Sequence, residues 1–228
     1  MDLEEAIRRR RMHRAFSPDP LGRPVLERLL RMAAAAPSAG FTQGVDWLVL
    51  ESAVDRARFF EATCEAVWLA APGPLGGLLR APAILVPVAD PTAYTSRYSE
   101  SDKASSGLAG LPAESWPVSY WTVDAAMGVM LLLLAVEDAG LGALFFRLHR
   151  PVGVLLEAFA IPAGRQVIGA VAAGWKSDTG APVQTQGVAA ALGGQRGGRL
   201  ASPPLGQPGR LRRRRRRPLE EVVHWGAW

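Results

Sequence analysis

The sequence predicts an α/β or α+β domain, and three observations carry that expectation. At 228 residues and 49% hydrophobic content, the chain is long enough to bury a sizeable core. Stretches such as 24–35 and 123–139 carry apolar residues at helical spacing. Short apolar runs near 47–50, 83–89, 141–146 and 166–174 have the length and composition of buried strands.

Taken in order, Asp2-Leu3-Glu4-Glu5 reads as a capping box, with Asp2 at the N-cap and Glu5 three residues on. The helix it opens is expected to reach about Arg10 and to carry Arg8 to Arg11 in its last turn, where the macrodipole favours cations. Ser17-Pro18-Asp19-Pro20 then forces an extended turn. A second helix is expected from Pro24 to about Ala35, with Val25, Leu29 and Met32 on its buried face and Leu26, Leu30 and Ala33 beside them. Pro37 ends it. Trp47 to Leu50 is a strand, and Asp55 to about Ala70 a helix with Phe59, Phe60, Thr63, Cys64, Val67 and Trp68 on one side.

Ala83 to Ala89 is apolar throughout and so buried on both faces, with Pro87 placing it at an edge or a strand end. From Asp90 to Trp121 no period holds, and all three tyrosines of the chain lie there, which suits either a lid or a surface excursion pinned by its aromatics. Val123 to Ala139 is the clearest helix. Its residues Ala126, Met127, Met130, Leu131, Leu134 and Ala135 cover more than one face, as expected for central burial or for burial partly against another chain. Gly140 stops it. A strand at 141–146, a short helical face of Val152, Leu155, Leu156 and Phe159, and a last strand from Gln166 to Gly174 complete the core. From Ser177 to Gly209 the chain is rich in Gly, Pro, Ala and Gln and has no usable period, so a loose connection is expected.

Charge and composition exclude several functions. The net charge of +5 falls to −1 once the six arginines from Arg212 to Arg217 are set aside, so the body is near neutral. The arginine run lacks interleaved aromatics or a folded reading head, and nucleic acid is not the expected partner. Cys64 is the sole cysteine, which leaves no intrachain disulfide and no cysteine-based metal cluster. His13, His149 and His224 have no ligand spacing. No Gly-x-Ser-x-Gly elbow is present. Asp2, Glu4 and Glu5 stand where a signal peptide needs a basic start, and the apolar run from Ala125 to Val136 is short for a bilayer, so no membrane contact and a cytoplasmic location are expected.

The remaining signal lies at the two ends of the second helix. Arg8 to Arg11 and Arg14 offer guanidinium groups suited to a phosphate. Ala36-Pro37-Ser38-Ala39-Gly40-Phe41-Thr42-Gln43 is a small, kinked, polar loop suited to the edge of a flat heterocycle. Arg10-Arg11-Met12-His13-Arg14-Ala15-Phe16 resembles the Arg-Arg-Ser-x-Arg-x-Phe start of the nitroreductase family. The loop is similar to that family's Ala-Pro-Ser-Ala-Gly-Asn-x-Gln, and Arg217-Pro218-Leu219-Glu220-Glu221-Val222-Val223-His224-Trp225 to its closing segment.

The resemblance implies an α+β, three-layer α/β/α fold with a mixed, mainly antiparallel sheet, an intertwined homodimer, and two FMN sites at the subunit interface. Residues 1–176 would form the flavin-binding domain, 177–210 a flexible linker, and 211–228 a basic segment completing the flavin site or the dimer. It implies further that Arg10 and Arg11 lie near the phosphate, joined by Arg214 and Arg216, and that Arg14 faces the pyrimidine edge of the ring. Pro37, Ser38, Ala39 and Gln43 would touch the ribityl chain and ring edges, and backbone amides around Phe145, Phe146 and Arg147 would approach the ring. Met12 stands in place of the serine and Phe41 in place of the asparagine at two of the cofactor positions. The implied chemistry is hydride transfer from NAD(P)H through FMN to an electron-poor small molecule such as a nitroaromatic or quinone. Alternatives on the same fold are a deazaflavin donor, an oxidase or a dehalogenase, or a non-catalytic flavin or nucleotide binder.

Overall fold

The computed structural model describes residues 1–177. The expected linker beyond Ser177 and the basic segment with Arg214 and Arg216 lie outside the described residues. Seven α-helices and five strands are described: α1 (Leu3–Arg9), α2 (Arg23–Ala34), β1 (Val45–Leu50), α3 (Ala53–Thr63), α4 (Ala66–Ala70), β2 (Ala83–Ala89), α5 (Pro91–Tyr98), α6 (Tyr120–Asp138), β3 (Gly142–Phe146), α7 (Val152–Ala158), β4 (Gln166–Val167) and β5 (Ala170–Gly174). Strands run in the order β1-β2-β5-β3, with β4 also on β2, and every strand pair is antiparallel. One parallel bridge, Met12 to Ala143, lays the N-terminal segment along β3 and makes the sheet mixed.

The side-chain period of two sorts the sheet into its layers. Ile84 and Val86 of β2, Leu144 of β3, and Ala170 and Ala172 of β5 meet Phe59, Phe60 and Leu155 of α3 and α7 on one face. Ala83 and Leu85, Ala143, and Val171 and Ala173 meet Leu26, Leu29, Val129 and Leu132 of α2 and α6 on the other. The architecture is therefore α/β/α. A third cluster, of Tyr94, Trp116, Trp121 and Ala125, closes one end around Ala89.

Several elements differ from the sequence expectation. β2 is fully buried but central, not an edge. Pro87 is tolerated because one flank of β2 is interrupted there: β5 pairs with Ala83 to Leu85, β4 pairs with Val88 and Ala89, and Ile168-Gly169 breaks the ladder between them. The same interruption divides the single strand expected from Gln166 to Gly174.

The helix expected from 55 to 70 breaks at Cys64 (φ −114°, ψ 154°). There the Thr63 carbonyl accepts backbone N–H groups of His149 (2.9 Å) and Arg150 (3.1 Å), so the chain turns instead of winding on. Val67 is consequently exposed. On α2 the buried set is Leu26, Leu29 and Ala33, while Met32 is exposed, a rotation of the expected face by about one position.

The aperiodic stretch after Asp90 contains α5, which starts where the Asp90 carboxylate caps the Thr92 N–H at 2.9 Å and Pro91 occupies the first turn. The longest helix, α6, ends as expected at Gly140. Leu141 N–H bonds to the Val136 carbonyl at 3.0 Å and Gly140 N–H to that of Glu137 at 2.9 Å, the Schellman arrangement. At 19 residues and a mean hydropathy of 1.5, α6 has the length and apolarity of a membrane span, more than its apolar run suggested. Half of that window is buried against the sheet and α2. Residues 123, 127 and 130, however, leave Val123, Met127 and Met130 exposed along one line.

Candidate functional site

The N-terminal segment is held against β3 by the Met12 bridge and by the His13 N–H, which donates to the Ala143 carbonyl at 2.7 Å. Phe16 and Ser17 continue along the end of β5, where Ser17 N–H reaches the Trp175 carbonyl at 3.0 Å. Running parallel to β3, this segment carries Arg14 to the strand end formed by Phe145 and Phe146.

Arg14, Phe145 and Phe146 line one cavity of about 180 Å³ with Cys64, Trp68, Leu75, Leu78, Leu144 and His149. Gly77 brings the wall in close, since a Cβ there would lie 2.7 Å from the Arg14 carbonyl oxygen and 2.9 Å from Ala15 Cα. The Arg14 guanidinium is exposed, with one bond to the Met12 carbonyl at 3.1 Å. Burial pushes the Cys64 thiol above its ordinary pKa, so it is a neutral wall group rather than a nucleophile.

The other arginines differ in their engagement. Arg11 folds back on α1, donating from Nη1 to the carbonyls of Arg8 (2.6 Å), Arg10 (2.9 Å) and Arg9 (3.2 Å), and so caps the helix C-terminus. Arg10 is half-buried, and its Nη1 is buried with no hydrogen-bond partner among the described residues. A buried guanidinium nitrogen without an acceptor is costly, and an anion would satisfy it. Met12 packs its side chain between the two main apolar clusters.

The Pro37–Gln43 loop forms a second cavity, of about 150 Å³, in which Pro37, Ser38 and Gln43 are joined by Ala33, Trp47, Asp124 and Gly128. The loop is tightly wound. Gly40 (φ 63°), Phe41 (φ 55°) and Gln43 (φ 54°) are all left-handed, and Phe41 is 77% exposed. Ser38 Oγ accepts the Gln43 N–H at 2.8 Å, and Thr42 Oγ1 donates to the Ala39 carbonyl at 2.6 Å. From α5, Arg97 Nε donates to the Gly40 carbonyl at 2.9 Å while its Nη atoms grip Asp102 at 2.7 Å each. From α6, Asp124 accepts the Ala39 N–H at 2.9 Å and the Tyr94 hydroxyl at 2.6 Å through the same oxygen.

The two cavities share no lining residue. The first is lined mainly by side chains of the α3–α7 face, with Phe145 from the other, and the second by those of the α2–α6 face, so Arg14 and the loop fall in different cavities. Cys64, Trp68 and His149 at the first cavity, Asp124 at the second, and Tyr94 and Arg97 behind the loop were not singled out by the sequence as site residues. Asp124 stood in the first turn of an apolar helix, which was the one available sign.

A profile of the Nitroreductase family matches residues 7–175. Among solved structures, a nitroreductase family protein from Clostridium novyi NT is 20% identical with a TM-score of 0.60, covering 78% of this chain and 87% of that one. A putative NADH dehydrogenase/NAD(P)H nitroreductase from Parabacteroides distasonis ATCC 8503 is 18% identical with a TM-score of 0.57, over 78% and 89%. An FMN-dependent nitroreductase from Clostridium difficile R20291 is 16% identical with a TM-score of 0.55, over 78% and 89%. No curated protein matches the chain. With the profile spanning the N-terminal arginines, the loop and every described strand, the chain belongs to the nitroreductase family.

Proposed function

We propose that the protein is an FMN-dependent oxidoreductase that takes hydride from NAD(P)H and reduces an electron-poor small molecule, a nitroaromatic, a quinone or a similar acceptor. The observation that carries this reading is the buried Nη1 of Arg10, without a hydrogen-bond partner among the described residues, on the segment that delivers Arg14 to a cavity walled by Phe145 and Phe146. An anionic phosphate ester attached to a flat ring satisfies both features. Relatives named as FMN-dependent and NAD(P)H nitroreductases on the same fold agree with it.

When bound, FMN supplies the two-electron relay between nicotinamide and acceptor. Arg10 would hold its phosphate, joined by Arg11 if that side chain leaves the α1 carbonyls, and by Arg214 and Arg216 from the C-terminal segment. Arg14 would place positive charge beside the pyrimidine edge, which favours the reduced ring. Phe145 and Phe146 would exclude water from the cavity wall, and the neutral Cys64 thiol adds no competing charge. Pro37, Ser38, Ala39 and Gln43 would contact the cofactor from the neighbouring subunit, with exposed Phe41 reaching toward the acceptor. Met12 would contribute backbone only, since its side chain is packed in the core.

A homodimer is part of this reading, because Arg14 and the Pro37–Gln43 loop fall in separate cavities and α6 leaves Val123, Met127 and Met130 exposed. A cytoplasmic location follows from the use of NAD(P)H. The test is anaerobic: purified protein is expected to be yellow, and NADH or NADPH to bleach its visible band. Persistence of that band with both nicotinamides rejects the donor. Truncation after Leu211 is expected to release flavin; loss of nucleic-acid binding without flavin release would favour a role for the arginine run outside this site.

A further inference from the structure

The Pro37–Gln43 loop holds a conformation that its own sequence does not favour. Left-handed backbone is unfavourable for a non-glycine residue, and Phe41 and Gln43 both adopt it. Such strain persists only where surrounding structure over-determines it. Hydrogen bonds inside the loop run through Ser38 and Thr42 and fix its internal turns. They do not fix the loop to the body of the domain. That attachment comes from Arg97 at the Gly40 carbonyl and from Asp124 at the Ala39 N–H.

Asp124 is the unusual member. Its side chain is 4% exposed and, among the described residues, no Lys, Arg or His pairs with it. A buried carboxylate without a counter-ion is expensive unless donors replace its water. Here the Ala39 amide and the Tyr94 hydroxyl do so, at one oxygen. Tyr94 is itself fully buried, and burial with the Asp124 bond raises its phenol well above the ordinary range, so it remains a donor at any working pH. The result is one buried oxygen on α6 that is held by α5 through Tyr94 and that fixes the loop at Ala39, one of the candidate cofactor residues.

We propose that Asp124 is a positioning residue, and that with Tyr94 as its second donor it presets the Pro37–Gln43 loop in the shape that receives the cofactor. The loop therefore meets its ligand already ordered, and the cost of ordering it is met by folding rather than by binding. This inference rests on the flavin reading for the identity of the ligand but not for the tether itself.

The experiment combines amide hydrogen exchange on the flavin-free full-length protein with FMN affinity by fluorescence titration, for wild type, Asp124→Ala, Asp124→Asn and Tyr94→Phe. A hydrogen bond to a charged group is strong enough that its loss should speed loop exchange by about tenfold or more. In Asp124→Ala the amides of 38–43 are expected to exchange at least about tenfold faster, with β2 amides unchanged, and the FMN Kd to rise by a similar factor. Asp124→Asn, which retains a neutral acceptor, should recover most of both effects. Tyr94→Phe should give a smaller rise in each, and it keeps the test open if Asp124→Ala does not fold.

Loop exchange at the wild-type rate in Asp124→Ala, or in Asp124→Asn and Tyr94→Phe if the alanine variant is not folded, overturns the proposal. A uniform increase across loop and β2 overturns it too, since that marks a merely structural role. If wild type fails to bind FMN while the loop still loosens as described, the tether stands and the flavin reading falls.

Discussion

Phe41 shows how a single position joins sequence, backbone and site. The motif resemblance has asparagine there, and the backbone explains why asparagine suits it: φ is 55°, a region where asparagine is several-fold enriched and bulky side chains are strained. Phe41 gains nothing back from packing, being 77% exposed. Phe41→Asn is therefore expected to stabilise the protein by about 1 kcal/mol, seen as a rise in Tm of about 2–4 °C. An unchanged or lowered Tm would mean that the ring is held by contacts made in the proposed dimer. Arg10 and Arg11 teach the opposite lesson. Adjacent identical residues were legible as a cluster, but only the fold separates the guanidinium that caps α1 from the one left without an acceptor.

At the scale of elements, strongly periodic or continuously apolar segments were readable and their contexts were not. The Asp2 cap appears as expected, with its carboxylate on the Glu5 N–H at 2.8 Å, yet Glu5 turns to Arg9 at 3.1 Å instead of closing the box. α5 was missed although Asp90-Pro91 is a helix-start signature, because its apolar residues follow no helical period and Tyr94 is buried by neighbours distant in sequence. The residues named on α6 for all-round apolarity proved to be its less buried side, while Ala125, Val129, Leu132 and Val136 face the core.

The 3-10 segment Gly73–Arg80 illustrates an element whose role is purely tertiary. It presses on the Arg14–Ala15 backbone at Gly77 and closes the first cavity through Leu75 and Leu78. Gly77→Ala places a methyl against backbone that cannot swing away, and a loss of about 1–3 kcal/mol is expected. The denaturant midpoint should fall and the flavin affinity with it. Affinity retained at full stability would show that the segment yields.

For the whole molecule, the decisive feature is that the two halves of the candidate site fall in separate cavities. Arg14 with Phe145 and Phe146 lines one, Pro37, Ser38 and Gln43 line the other, and on the proposed reading a second subunit completes the site. The exposed line of Val123, Met127 and Met130 on α6 is the surface expected to meet it. Met127→Glu combined with Met130→Glu would bury like charges across a two-fold interface, so the dimer is expected to be lost. Light scattering should report half the wild-type mass, and flavin should be released with it. A double variant that remains dimeric and yellow would place the interface elsewhere.

The sequence by itself determined most of the helical and strand segments, the N-terminal arginine cluster and the kinked loop, because these depend on local chemistry: apolar period, capping, guanidinium geometry and the Gly and Pro content of short turns. Tertiary structure alone decided which arginine is unsatisfied, which helices break, that β2 is central, and that Asp124 and Tyr94 hold the loop. Each of those depends on partners far away in the chain, such as Asp124 and Ala39 at 85 residues' separation. No local pattern encodes a pairing whose energy comes from burying both members together.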